Sequence, residues 1–105
     1  MPYIPQEMRD EIDQQIDDLV AICLKSPGMQ AKIDGVANYI ITRVVLSLLR
    51  PSGGWNYAAI ADVIKTFECA KLEIYRSLAA PYEAQAMLKN GDVKEYEEFD
   101  KELYG

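Results

Sequence analysis

The sequence predicts an all-α protein, a compact bundle of four to five helices forming one domain over residues 1–105 and assembled as a homo-oligomer. Three observations predict it. Apolar residues recur at helical spacing in separate stretches, proline and glycine clusters divide those stretches, and no run alternates as a strand would.

The elements follow in order. Pro2 and Pro5 hold the first residues extended. From Gln6 to about Lys25, Met8, Ile12, Ile16, Leu19, Val20 and Cys23 make one apolar stripe with an acidic reverse face, and Ser26-Pro27-Gly28 ends the helix. A second helix runs from about Asp34, its expected N-cap, to Arg50. Ala37, Ile40, Ile41, Val44, Val45, Leu46, Leu48 and Leu49 take up most of its circumference, so it is expected to be buried from several sides, partly by another subunit. Arg43, Ser47 and Arg50 form its exposed strip.

Pro51-Ser52-Gly53-Gly54 breaks the chain. Asn56 then caps a third helix over residues 57–79, which Pro81 is expected to stop because the residue before a proline disfavours the α conformation. A short helix over 81–89 ends at Asn90-Gly91. Asp92 and Glu95 resemble a capping box, opening an acidic amphipathic tail helix over residues 92–105 with Val93, Tyr96, Phe99 and Leu103 on one stripe.

Charge and composition narrow the chemistry. There is no histidine, which removes histidine triads, histidine metal sites and the commonest general base. No glycine-rich phosphate loop, CxxC or G-x-S-x-G occurs. A net charge of −6 argues against nucleic-acid binding. The charge is uneven, with acidic ends and a mildly basic middle that holds Lys32, Arg43, Arg50, Lys65, Lys71 and Arg76 against four acids. No apolar run reaches the ~18–20 residues that span a bilayer, and no signal peptide opens the chain, so a cytoplasmic protein is expected, without a membrane partner. Cys23 and Cys69 are expected as free, buried thiols.

The sharpest signal is Lys71. At about 100° per residue, Ile60, Val63, Ile64, Phe67, Ile74 and Leu78 form one arc of the third helix with Lys71 in its middle and Glu68 and Tyr75 at its rim. A cation in an apolar stripe is costly unless it is paired or liganded, which places a polar site there. Tyr39 and Arg43 share a face of the second helix, as do Asn38 and Thr42.

From Asn38 onward the chain resembles a family of small proteins of tailed bacteriophages and some prokaryotes. The resemblance rests on Met1-Pro2-Tyr3-Ile4-Pro5, Arg9-Asp10, Ile12-Asp13, Asn38-Tyr39 with Thr42, Glu68-x-x-Lys71-Leu72-Glu73-x-Tyr75-Arg76, Pro81-Tyr82-Glu83 and Asn90-Gly91-Asp92-Val93. It covers most of the chain up to Val93. Ser77 stands where a second arginine is expected, and the acidic tail after Lys94 is longer than expected. The resemblance implies a phage origin and supplies no reaction or cofactor.

The expected ligand-binding set is therefore Asn38, Tyr39, Thr42, Arg43, Glu68, Lys71, Tyr75, Arg76 and Tyr82, with no catalytic residue, metal ligand or cofactor. Arginine and lysine meet phosphate, tyrosine stacks on a base, and asparagine reads amide-like edges. The set suits a small anionic, nucleotide-like ligand, and an expected function is capture of a phosphate-bearing nucleotide signal by a phage anti-defence protein. The alternative is a protein-interaction adaptor docking through the acidic helical tail. A third reading, a Mg²⁺-dependent nucleotide hydrolase, is disfavoured because Glu68 and Glu73 lie about 140° apart around their helix. A purely structural network, with Lys71 paired to Glu68 or Glu83, weighs against every ligand reading.

Overall fold

The computed structural model describes residues 3–105. Met1 and Pro2, and with them the start of the Met-Pro-Tyr-Ile-Pro block, lie outside the described residues. All regular structure among the described residues is helical. The helices are α1 (Gln6–Lys25), a one-turn α2 (Pro27–Gln30), α3 (Ile33–Leu49), α4 (Tyr57–Ile74), α5 (Ala80–Asn90) and α6 (Lys94–Tyr104), with a π-helical turn at Tyr75–Ala79 between α4 and α5. The chain divides into two units, one ending at Glu68 and the other beginning at Cys69.

Local chemistry explains most boundaries. Ser26 ends α1 with extended backbone, and its hydroxyl accepts the Met29 N–H at 3.2 Å, so the expected stop also starts α2. The Pro51–Gly54 break closes on a Gly54 N–H to Pro51 carbonyl bond, with Gly54 at φ 93°, where a side chain would be strained. Asn56 caps α4 as expected, its Oδ1 accepting the Ala59 N–H at 2.8 Å. Gly91, at φ 83°, ends α5 by donating its N–H to the Met87 carbonyl at 2.8 Å.

Three expected boundaries change. Lys32, not Asp34, is the N-cap of α3, and Asp34 sits in its first turn, where a carboxylate still meets the positive end of the helix dipole. Val93 rather than Asp92 caps α6, and the Asp92 N–H reaches Glu97 at 3.4 Å instead of Glu95. Pro81 does not stop the third helix. Ala79 and Ala80 keep α-helical backbone, and the turn before the proline widens so that the Ala80 N–H reaches back five residues to the Tyr75 carbonyl. The wide turn makes room for the pyrrolidine ring and absorbs its missing donor.

The buried core expected of a bundle is not found among the described residues. Among the described residues only Cys23 (6 % exposed) and Ala59 (9 %) are buried, and both belong to the first unit. Packing joins sequence neighbours: α1 with α2, α2 with α3, and the π turn with α5. In α3 only Val36, Ile40, Val45 and Leu49 reach half-burial, while Leu48 is 77 % exposed. The helices form because their local signals are strong, but each apolar stripe needs an opposing surface that the unit does not supply. Cys23 is a free buried thiol as expected; Cys69 is free but exposed. No helix among the described residues is long and apolar enough to cross a membrane.

Candidate functional site

The nine expected ligand residues fall into two groups, one in each unit apart from Glu68, which ends the first. On α3, residues four apart stand one above the other, so Asn38 and Thr42 form one vertical pair and Tyr39 and Arg43 the next. The Thr42 hydroxyl donates to Asn38 Oδ1 at 3.3 Å. The Arg43 guanidinium lies 5.9 Å from the Tyr39 ring centroid and donates to the phenol oxygen at 3.5 Å, a cation–π contact at an exposed position. An open cavity of about 510 Å³ is lined by Asn38, Tyr39 and Thr42 of this set together with Asp34 and Gly35, and Arg43 stands outside that lining. Gly35 leaves its floor bare, with nothing within 4 Å of where a Cβ would stand.

In the second unit the polar side chains close on one another. Arg76 donates to both carboxylate oxygens of Glu73, at 2.6 and 2.5 Å, a charge-assisted fork one helical turn long. The Tyr75 hydroxyl donates to Glu83 Oε2 at 2.8 Å across the π turn. Accepting that hydrogen bond, and repelling a second negative charge, the Glu83 carboxylate raises the Tyr75 phenol above its ordinary value near 10. Tyr82 is exposed. The pairing of Glu83 with tyrosine was missed from sequence; Pro81, between the two, is the signal that marks the altered turn.

Lys71 is not held away from water. It is exposed, as are Ile64, Ile74 and Leu78 on the same arc, and only Val63 and Phe67 reach half-burial. The apolar arc is real, but its own members lie open, so the ammonium keeps its hydration and the cost expected of it does not arise. Neither Lys71 nor Glu68 is without a partner. No group of three cysteine, aspartate or glutamate side chains among the described residues is placed to hold a metal ion.

The two groups therefore differ in kind. The second-unit set spends Arg76 and Tyr75 on local carboxylates. The α3 set pairs its cation and amide with neutral neighbours rather than carboxylates, and Asn38, Tyr39 and Thr42 border open space.

Residues 1–93 match the model of a family described as a domain of unknown function (DUF6899), so α6 lies beyond the matched region. No curated protein and no solved structure matches the chain.

Proposed function

The chain belongs to the DUF6899 family, and from that premise we propose that it acts by binding and not by catalysis, as a helical interaction module working in an assembly that includes more than one copy. One observation carries this reading: apolar side chains at helical spacing stand uncovered on α1, α3, α4 and α6. Ile12 and Ile16 on α1, Ile41, Val44 and Leu48 on α3, Ile60 and Ile64 on α4 and Phe99 and Leu103 on α6 are all exposed, three, four or seven residues apart. Contiguous apolar surface of this kind marks interaction sites in soluble proteins.

In α6, Tyr96, Phe99 and Leu103 are exposed along one side, and Glu95, Glu97, Glu98, Asp100 and Glu102 outnumber Lys94 and Lys101. An amphipathic helix of that charge suits a groove with a basic rim, the apolar stripe supplying affinity and the acids orientation. Truncation after Val93 is expected to abolish capture of such a partner in a quantitative pull-down while the preceding helices keep their dichroism. Undiminished capture by the truncated chain removes α6 from the interaction.

A second reading is favoured by the Arg43–Tyr39 pair. A phosphate-bearing nucleotide would place phosphate on Arg43, its base against Tyr39 and a polar edge on Asn38 and Thr42. Sequestration of such a signal by a phage anti-defence protein needs no catalytic group. Asp34, at the end of the cavity, works against an anion there. Calorimetry with cyclic nucleotides and ADP-ribose derivatives is expected to register binding that Tyr39→Ala weakens about 10-fold or more, the loss of one base–aromatic stack. Absence of heat and of thermal stabilisation with every ligand removes this reading.

A further inference from the structure

Between α1 and α3 lies an open groove of about 460 Å³. Every side chain lining it is apolar, Ile16, Val20, Cys23, Ile40, Ile41 and Val44 among them. It lies wholly within the first unit. Its only buried lining residue is Cys23, and the α2 turn links the two helices at one end while the groove stays open.

Resting on the interaction reading above, we propose that a second copy of this chain occupies the groove, with its α3 laid against α1 and α3 of the first, the arrangement being mutual about a twofold axis. Three physical arguments select that occupant. The first is the shape of the apolar pattern. The stripe on α1 is one-sided and lines the groove opposite one flank of α3, but α3 is apolar over most of its circumference and needs cover on a second flank. Another α3 is itself apolar on more than one side, so two copies satisfy each other where a one-sided helix leaves a flank open.

Charge is the second argument. Residues 1–25 carry Glu7, Asp10, Glu11, Asp13, Asp17 and Asp18 against Arg9 and Lys25, and α1 holds all of these groups. The segment from Lys32 to Arg50 carries Lys32, Arg43 and Arg50 against Asp34 alone. An incoming α3, with Lys32 and Arg50 at its ends, therefore brings net positive charge to the rim where Asp13 and Asp17 of α1 stand one or two helical turns before Val20 and Leu24. An incoming α6, with five acids against two lysines, brings like charge to that rim, as does a second α1.

Area is the third. Complete burial of the open halves of Ile16, Leu19, Val20, Leu24, Ile33, Ile41 and Val44, with the lesser share of their half-buried neighbours, sets an upper bound on the order of 700 Å² per copy. One partner of a specific protein interface contributes about that much. A twofold contact uses the same patch on both sides, so a single self-complementary surface suffices and the association closes at two.

The test begins with the molar mass of the full chain by light scattering across a concentration series. Twice 11.9 kDa is expected at high concentration, with dissociation at low concentration that salt promotes. Val44→Glu, on the groove wall, is expected to return the mass to a monomer, whereas Leu88→Glu, exposed on α5, leaves the dimer intact. If Val44→Glu loses its helical dichroism, zero-length cross-linking of the unsubstituted protein replaces it. Light and heavy isotope-labelled copies are mixed and coupled with carbodiimide, and Lys32 is expected to join α1 carboxylates between differently labelled copies. A monomer at every concentration, a dimer that Val44→Glu does not weaken, or cross-links confined to one copy each overturn the proposal. In those cases the groove belongs to another segment of the same chain or to another protein, and the interaction reading is judged separately by the α6 truncation.

Discussion

Pro81→Ala is expected to remove the π turn, break the Tyr75–Glu83 hydrogen bond and stabilise the α4–α5 region. An α-helix turns about 100° per residue, so residues eight apart are offset by about 80°. The π turn behaves as one inserted residue. Tyr75 and Glu83 then relate as residues seven apart do, within about 20° of one another on one face, and their side chains meet at 2.8 Å. Alanine restores an N–H donor at position 81 and removes the ring that demands the wide turn, with a gain of about 1–3 kcal/mol in helix stability. Regular α-geometry then swings Glu83 away from the phenol.

The readout is specific. Glu83 holds Tyr75 above the ordinary tyrosine value, so the neutral phenol is the form the fold favours. A folded value raised above the unfolded one gives stability that is fully present below about pH 10 and lost as pH rises through the folded value. Pro81→Ala and Glu83→Gln should both return Tyr75 toward its ordinary value in an ultraviolet titration, measured against a Tyr75→Phe blank. Only Pro81→Ala should also increase helical dichroism. An unchanged titration in Pro81→Ala would show that the contact does not depend on the wide turn.

Asn56→Ala is expected to cost about 1 kcal/mol, within a range of about 0.5–2 kcal/mol for such caps. Its Oδ1 satisfies the Ala59 N–H, one of the donors that the first turn of any helix leaves without a partner, and Ala59 is one of two buried residues among those described. Water cannot easily replace the lost acceptor beside a buried methyl. Hydrogen exchange should show the Ala59 amide losing about fivefold or more in protection, the equivalent of 1 kcal/mol, while amides near Phe67 change little. Asn56→Asp should restore protection, since a carboxylate caps the same donor and suits the helix dipole. Equal protection in Asn56→Ala and the unsubstituted protein would deny the cap its role.

Much of the helical layout was legible in the sequence because it is local. The spacing of Met8, Ile12, Ile16 and Leu19, the acceptor on Asn56 and the conformational freedom of Gly91 each act within about one helical turn, and each appears where expected. The pairs Asn38–Thr42 and Tyr39–Arg43 were legible for the same reason, since four residues on one helix fix their stacking. Pro81 was misread because two local rules conflict there. The steric preference before a proline favours an end, but the helices on both sides favour continuation, and a single widened turn costs less than ending both.

What the sequence by itself determined, then, is a set of helices, their caps and the side chains that share a face, because those depend on bonds and dihedral angles spanning a few residues. Only the tertiary structure decided that Lys71 lies open, that Tyr75 turns to Glu83 across the widened turn, and that α1 and α3 hold an uncovered apolar groove between them. An apolar arc states only that a side chain gains by leaving water. Whether it does so depends on a second surface arriving from elsewhere, and no spacing along one helix encodes that arrival.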